Sequence, residues 1–144
     1  MSNANQNSAL TSADHGNLSK LSDRRALAAL QALGQVSRLS IFRLLVKHEP
    51  HGLAVGAIAQ FLNTPQNTVS AHLAVLARAQ LVSSARQGRS VCYRADLDGV
   101  HWLIACLLAD CCDGDPAKCA TVTALLRDAR CAPPSPHLAV TPKL

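Results

Sequence analysis

Apolar residues recur at helical spacing along most of the chain, and the places where that spacing fails predict its joints. In LSKLSDRRALAALQALG the leucines fall at 18, 21, 27, 30 and 33 with Ala26 and Ala29 between them, which predicts a helix with Ser22 as a cap and an interruption at Gly34. QVSRLSIFRLLVKHE then sets Val36, Leu39, Ile41, Phe42, Leu45 and Val46 largely on one side of a second helix, stopped by Pro50 and Gly52. Further on, Ile58, Ala59, Phe61 and Leu62 make a short amphipathic helix and Asn63-Thr64 a break. Thr64 is placed to cap the next helix with Pro65 at its first position, where the missing N–H costs nothing.

The predicted helix from Pro65 to Ala79 gives the strongest local pattern. Helix, short turn, helix is the unit that lays its second helix in a DNA major groove. Val69, Leu73 and Leu76 share one face and must pack inward, which turns Asn67, Ala71, Ala74 and Arg78 outward with Gln66, Thr68 and Ser70 at the flanks. The outward face is small or polar, as entry into a groove requires. LVSSAR, QGR and SVCYRAD follow: Val91 and Tyr93 alternate with Ser90, Cys92 and Arg94, and Gly88 marks a turn, so a β-hairpin with a basic tip is expected. A hairpin directly after a recognition helix is a wing, and Arg86 and Arg89 are placed to touch phosphate or the minor groove. DLDGVHWLIACLLAD predicts a closing helix with an apolar stripe of Leu97, Val100, Ile104, Leu107 and Leu108. PAKCATVTALLRDAR predicts a last short one.

Composition narrows the function classes. A chain of 144 residues, 49% hydrophobic, holds one ordinary core, so residues 1–17 and 132–144 read as tails around a single body at 18–131. The first tail is Asn/Ser-rich and the last is APPSPHLAVTPKL, both compositions that suit mobile segments. No apolar run of about 18 residues appears and the start lacks a signal-peptide pattern, so a cytoplasmic protein is expected. Charge is uneven: from Lys20 to Arg94 ten basic residues face two acids, whereas from Ala95 to Cys131 three face six. The middle of the chain suits a polyanion, and the end does not.

Taken in order, LGQVSRLSIFRLLV, NTVSAHLAVLARAQLV and RQGRSVCYRAD resemble the ArsR/SmtB family of metal- and metalloid-responsive repressors over roughly residues 21–119. The likeness rests on Arg38-Leu39, on Ser70 and His72-Leu73, and on Gly88-Arg89-Ser90 with Tyr93. It implies a mainly α winged helix-turn-helix fold with a β-hairpin wing. It also implies a homodimer on near-palindromic double-stranded operator DNA, and a regulator rather than an enzyme. Gln66, Asn67, Thr68, Ser70, Ala71 and His72 would then be the recognition-helix residues, with Arg86 and Arg89 on the wing. His72 lies toward the buried side of its helix and reads equally as a structural histidine, and Arg78 equally as a solvated cap or a phosphate contact.

Inducer sites differ between branches of that family. The Cys-Val-Cys version would fall in GLAVGAIAQ, which has no cysteine, and the closing-helix zinc version finds Asp98 and His101 but no partner after them. Cys111, Cys112 and Cys119 form a Cys-Cys-x6-Cys segment that looks like the three-thiol arsenite site of another branch. The resemblance implies no cofactor in the DNA-bound form and As(III) or Sb(III) as inducer. Three soft thiolates with no fourth strong ligand suit a pyramidal trivalent centre better than tetrahedral zinc. Adjacent cysteines diverge on a regular helix, so both reach one centre only if the backbone leaves helical geometry, which Gly114 and Pro116 favour. Asp110, Asp113 and Asp115 tend to keep the thiols protonated, with Lys118 a partial counterweight, so affinity should rise with pH. A redox sensor joining Cys119 to Cys111 or Cys112, or a zinc-responsive repressor, uses the same body with another trigger. Cys-x-x-Cys and an anion-cradled nucleophilic cysteine, which thiol enzymes need, are absent from the pattern. Cys92 and Cys106 read as packing residues and Cys131 as an incidental thiol or auxiliary ligand.

Overall fold

The joints read from the sequence are present in the structure, a computed structural model that describes residues 12–112 and 115–128, and within them the side chains of 20–109, 115–121 and 124. The elements are α1 (Ser12–Leu33), α2 (Val36–Lys47), β1 (Leu53–Ala54), α3 (Val55–Leu62), α4 (Gln66–Arg78), β2 (Val82–Gln87), β3 (Ser90–Ala95), α5 (Leu97–Cys112) and α6 (Pro116–Asp128). The described residues up to Cys106 make one compact unit, and those from Leu107 onward another. No helix among the described residues is long and apolar enough to cross a membrane. α1 begins at Ser12, inside the stretch read as the first tail. Its Ser12-Ala13-Asp14 start has a helix-initiating composition that the Asn/Ser richness nearby hides in the sequence. Residues 1–11 and the Pro-rich end at 132–144 lie outside the described residues.

In the first unit, the core is built where five helices meet the sheet. Ile41 and Leu45 of α2, Ile58 of α3, Val69, Leu73 and Leu76 of α4, and Leu81 after it are almost wholly buried. At about 25 cal/mol per Å2 of apolar surface, each such side chain contributes roughly 1.5 to 3 kcal/mol before entropy is counted. α1 meets this core through alanines: Ala26, Ala29 and Ala32 are buried while Leu21, Leu27 and Leu30 are exposed. The expected leucine stripe therefore exists but faces outward, because alanines let α1 lie close against its neighbours. Ser22 is inside α1 and not its cap.

Similar inversions occur elsewhere. On α5, Leu103 is buried and Val100, Trp102 and Cys106 pack against the core, whereas Leu97 and Ile104 are exposed, as is Leu107 in the second unit. Val36, Val46 and Phe61, read as inward, are also exposed, Val36 to 81%. Phe61 instead meets His48, ring centroids 5.3 Å apart. Cys92 and Ala95 are the buried residues of β3, with Val91 and Tyr93 half-buried, and the Cys92 Sγ donates to His51 O at 3.2 Å. The packing role expected of Cys92 and Cys106 agrees with these positions.

Side-chain caps hold the joints. Gln35 caps α2 by accepting from Arg38 N, and the Arg38 guanidinium turns back to Ala32 O (2.6 Å) and Gln31 O (3.0 Å), satisfying carbonyls that the end of α1 leaves open. The sheet order is β1-β3-β2, antiparallel throughout, with Leu53 opposite Tyr93 and Gln87 opposite Ser90. Glu49, just before β1, binds the end of the central strand β3. Its carboxylate accepts from Arg94 Nη2 at 2.7 Å and from Ala95 N at 3.1 Å.

The Arg94 hydrogen bond holds the Glu49 carboxyl below its ordinary value against the opposing cost of burial, with the Arg94 charge and the Ala95 N–H adding to it. Since the folded value is the lower one, the contact stabilises the fold above the ordinary glutamate value of about 4.3 and is lost as pH falls through the lowered value. Glu49→Gln is expected to flatten the acid limb of stability measured by urea unfolding between about pH 5 and pH 3. Parallel pH profiles for parent and variant would contradict this.

Candidate nucleic-acid interface and thiol cluster

α3 and α4 are joined by a turn whose geometry follows from one residue. Asn63 adopts φ +48°, and Thr64 N reaches back to Ala59 O while Asn63 N bonds Gln60 O. This is a Schellman ending, the left-handed position that glycine or asparagine fills most easily. Thr64 does not cap α4 as expected. Its hydroxyl donates back to Leu62 O at 3.0 Å, and Pro65 is itself the cap position, with α4 starting at Gln66. The reason is steric: Pro65 at ψ 142° is still extended, so the helix starts one residue later.

α4 keeps Val69, Leu73 and Leu76 at zero exposure, so its opposite side is fixed outward. Gln66, Asn67, Thr68, Ser70 and Ala71 are exposed, as are Ala74 and Arg78, and His72 is half-buried at the edge of that face. Asn67 Oδ1 accepts from Thr68 N at 2.9 Å, leaving its NH2 outward. Gln66 differs from the others: its amide lies beside Gly56, at the start of α3, and lines a polar groove with Gln60, Asn63 and Thr64. β2 and β3 extend beyond the core as a ribbon exposed from Ser83 to Ser90, turning at Gly88 (φ +64°). Arg86 stands on β2 and Arg89 in the turn, both exposed, and Ser90 Oγ closes the turn on Gln87 O. All of the predicted recognition and wing residues except half-buried His72 are thus solvent-facing.

Such a ribbon directly after the second helix of a helix-turn-helix decides the fold. The chain is a winged helix-turn-helix protein. The helix-turn-helix domain family matches residues 33–85. The nodulation protein NolR of Rhizobium meliloti is 34% identical over 82 residues, 57% of this chain, and the chain spans about 65% of that relative's length. NolR from Sinorhizobium fredii is 30% identical, the match covering 69% of this winged helix-turn-helix chain and 92% of that one at a TM-score of 0.50. A homodimeric winged helix-turn-helix DNA-binding domain from Mycobacterium bovis, a candidate ArsR-family regulator, is 28% identical, covering 72% and 91% at a TM-score of 0.51.

Two features of this winged helix-turn-helix chain were not read from the sequence. Arg25 of α1 sets its guanidinium 3.9 Å from the ring centroid of Trp102 on α5, a cation–π contact tying the two helices whose outer faces carry the exposed leucines. The other is in the second unit. Asp115 Oδ1 accepts from Ala117 N at 2.9 Å, so Asp115 caps α6 with Pro116 at its first position. Asp-Pro is a helix-start signal, and it assigns Asp115 a capping role beyond its charge.

That cap places Cys119 in the first turn of α6, where its N–H reaches Asp115 O and its Sγ lies 4.0 Å from Leu108 O on α5. Cys119 is disulfide-bonded, with a partner sulfur outside the described side chains. Cys111 and Cys112 are the last two residues of α5, so their backbone is still helical where a departure was expected. Their side chains lie outside the described ones, as do Gly114 and Cys131. Asp98 and His101 are exposed on α5, and no group of three metal-binding side chains occurs among the described residues.

The turn yields a test of the helix-turn-helix geometry. Asn63→Gly is expected to leave stability nearly unchanged, whereas Asn63→Val, forced into the left-handed region, should cost about 1 to 2 kcal/mol by urea unfolding. Equal effects of the two would mean that the turn is not as described.

Proposed function

We propose that this chain is an ArsR/SmtB-type transcriptional repressor. In this reading it binds near-palindromic operator DNA as a homodimer and is released when Cys111, Cys112 and Cys119 capture trivalent arsenic. The observation that carries the DNA reading is the outward face of α4, polar and small, standing beside an exposed basic wing in a segment of the chain with ten basic residues against two acids. Asn67, Ser70 and Ala71 serve as the base-facing residues, with Gln66 and Thr68 at the groove edge. Arg86 and Arg89 bind phosphate or the minor groove, and His72 packs at the margin.

The exposed leucines on α1 and the exposed Leu97 and Ile104 on α5 supply the apolar surface for a second copy. A twofold pair sets its recognition helices for half-sites about one turn, roughly 34 to 36 Å, apart. Relatives named as a nodulation protein and as a homodimeric DNA-binding domain support a regulator of this kind.

For the inducer, the support is chemical and positional. Two thiols end α5, the third sits one turn into α6, and the Asp115 cap folds Cys119 toward Leu108. Reduced, the three sulfurs offer a soft trigonal donor set to arsenite, antimonite or methylarsenite, releasing protons as they bind. Because two of the donors terminate α5, capture repacks the end of a helix that carries part of the dimer surface. A coupling of about 1 to 3 kcal/mol lowers DNA affinity roughly 5- to 150-fold.

A redox reading has one observation in its favour, the disulfide at Cys119. There a peroxide takes two electrons from two thiols, two protons pass to the leaving oxygens, and the protein is left with one S–S bond. Zinc as trigger is the third arm of the test.

Two experiments address these readings. By fluorescence anisotropy on an operator duplex under a phosphine reductant, arsenite should release the parent, and Cys111→Ser, Cys112→Ser and Cys119→Ser should each need at least ten times more arsenite. Release by peroxide or zinc alone would transfer the trigger to those rivals, and tight arsenite binding with unchanged DNA affinity would end the proposal. Separately, Arg86→Ala and Arg89→Ala should each lower the slope of log affinity against log salt by about 1. Unchanged slopes would remove the wing from the interface.

A further inference from the structure

The start of α5 presses on the end of α4, main chain against main chain. A Cβ on Gly99 would fall 1.9 Å from the carbonyl oxygen of Gln80 and 3.1 Å from its carbon, so any other residue there forces the two segments apart. No side-chain rotation relieves such a clash, since the obstructing atoms are backbone. Gln80 is held on its side. It adopts φ +58°, its N–H bonds Ala77 O, and Leu81 N bonds Leu76 O, the second Schellman ending in the molecule. Leu76 and Leu81, which flank that ending, are both wholly buried. Gly99 is held on the other side: its N–H donates to Asp96 Oδ1 at 3.1 Å, and Asp96 N bonds Leu81 O at 2.8 Å. Asp96 thus caps α5 with its side chain while its backbone grips the residue that follows α4.

We propose that this contact is a seat through which α5 sets the angle of the recognition helix, making Gly99 a positioning residue for operator binding. The inference rests on the DNA-binding reading above. α4 reads and α5 belongs to the pairing surface, so the separation of two reading helices in a dimer depends on how each α4 is fixed to its own α5. The packed core holds the middle of α4, and the Gly99–Gln80 contact fixes its far end. Displacing that end tilts α4 about its buried centre.

The test uses the full chain and an operator duplex enriched by the parent from a random-sequence pool. Affinity is measured by anisotropy on duplexes whose two half-sites are moved closer or further apart in single base-pair steps. Gly99→Ala, shown to be folded and dimeric by circular dichroism and sedimentation, is expected to bind the parent's preferred spacing at least tenfold more weakly. Its affinity for an isolated half-site should stay within twofold. Asp96→Ala removes the carboxylate that holds Gly99 without adding bulk, and covers the case in which Gly99→Ala does not fold. It should flatten the spacing profile, cutting the preference for the best spacing over its neighbours at least threefold. A purely structural glycine would lower affinity equally on every duplex. Spacing profiles that superimpose on the parent's overturn this proposal alone, and a parent that enriches no duplex overturns the DNA-binding reading with it.

Discussion

Val69, Leu73 and Leu76 leave α4 no rotational freedom, and the orientation of everything outside it follows. Each is at zero exposure among Ile41, Leu45, Ile58 and Leu81. Turning the helix by one residue would carry Ser70 in one direction, or Thr68 and His72 in the other, into that interior, where an unpaired polar group costs several kcal/mol. The interaction that stabilises the fold is therefore also the one that decides which side of α4 faces outward. The Schellman endings after α3 and α4 then fix where each helix stops, so rotation and length are both determined.

Periodicity revealed that a helix had an apolar side more reliably than which side lay inward. α1 carries two such sides, Ala26-Ala29-Ala32 and Leu21-Leu27-Leu30, and the smaller one is buried. Hydropathy ranks the leucines higher, yet alanine allows closer approach of helix to helix, and only the tertiary packing reveals that the short side chains are the ones needed. The same ambiguity applied to α5, where Leu103 sits inside and Leu97 and Ile104 outside. It arises because both faces have work: one builds the core, the other is left apolar at the surface.

The outward face of α4 was legible because it is the complement of a three-residue inward pattern, and the hairpin because a glycine turn separates two short alternating runs. Contacts between residues distant in sequence were not. Glu49 with Arg94, Arg25 with Trp102, and Gly99 with Gln80 have no local signature, since nothing within a few residues of any of them announces the partner. The thiol segment was found as a spacing alone. Asp115-Pro116 could have been read as a helix start, and would have placed Cys119 in a first turn rather than in a loop.

The ribbon from Ser83 to Ser90 has almost nothing to contribute to folding. Its residues are exposed, its turn is set by one glycine, and the ladder with β3 depends on backbone groups that any side chain leaves in place. Substitutions there escape the packing constraint that fixes α4. Changes should therefore be tolerated first at the tip of the hairpin, and a library randomised at 86, 87 and 89 should retain foldability.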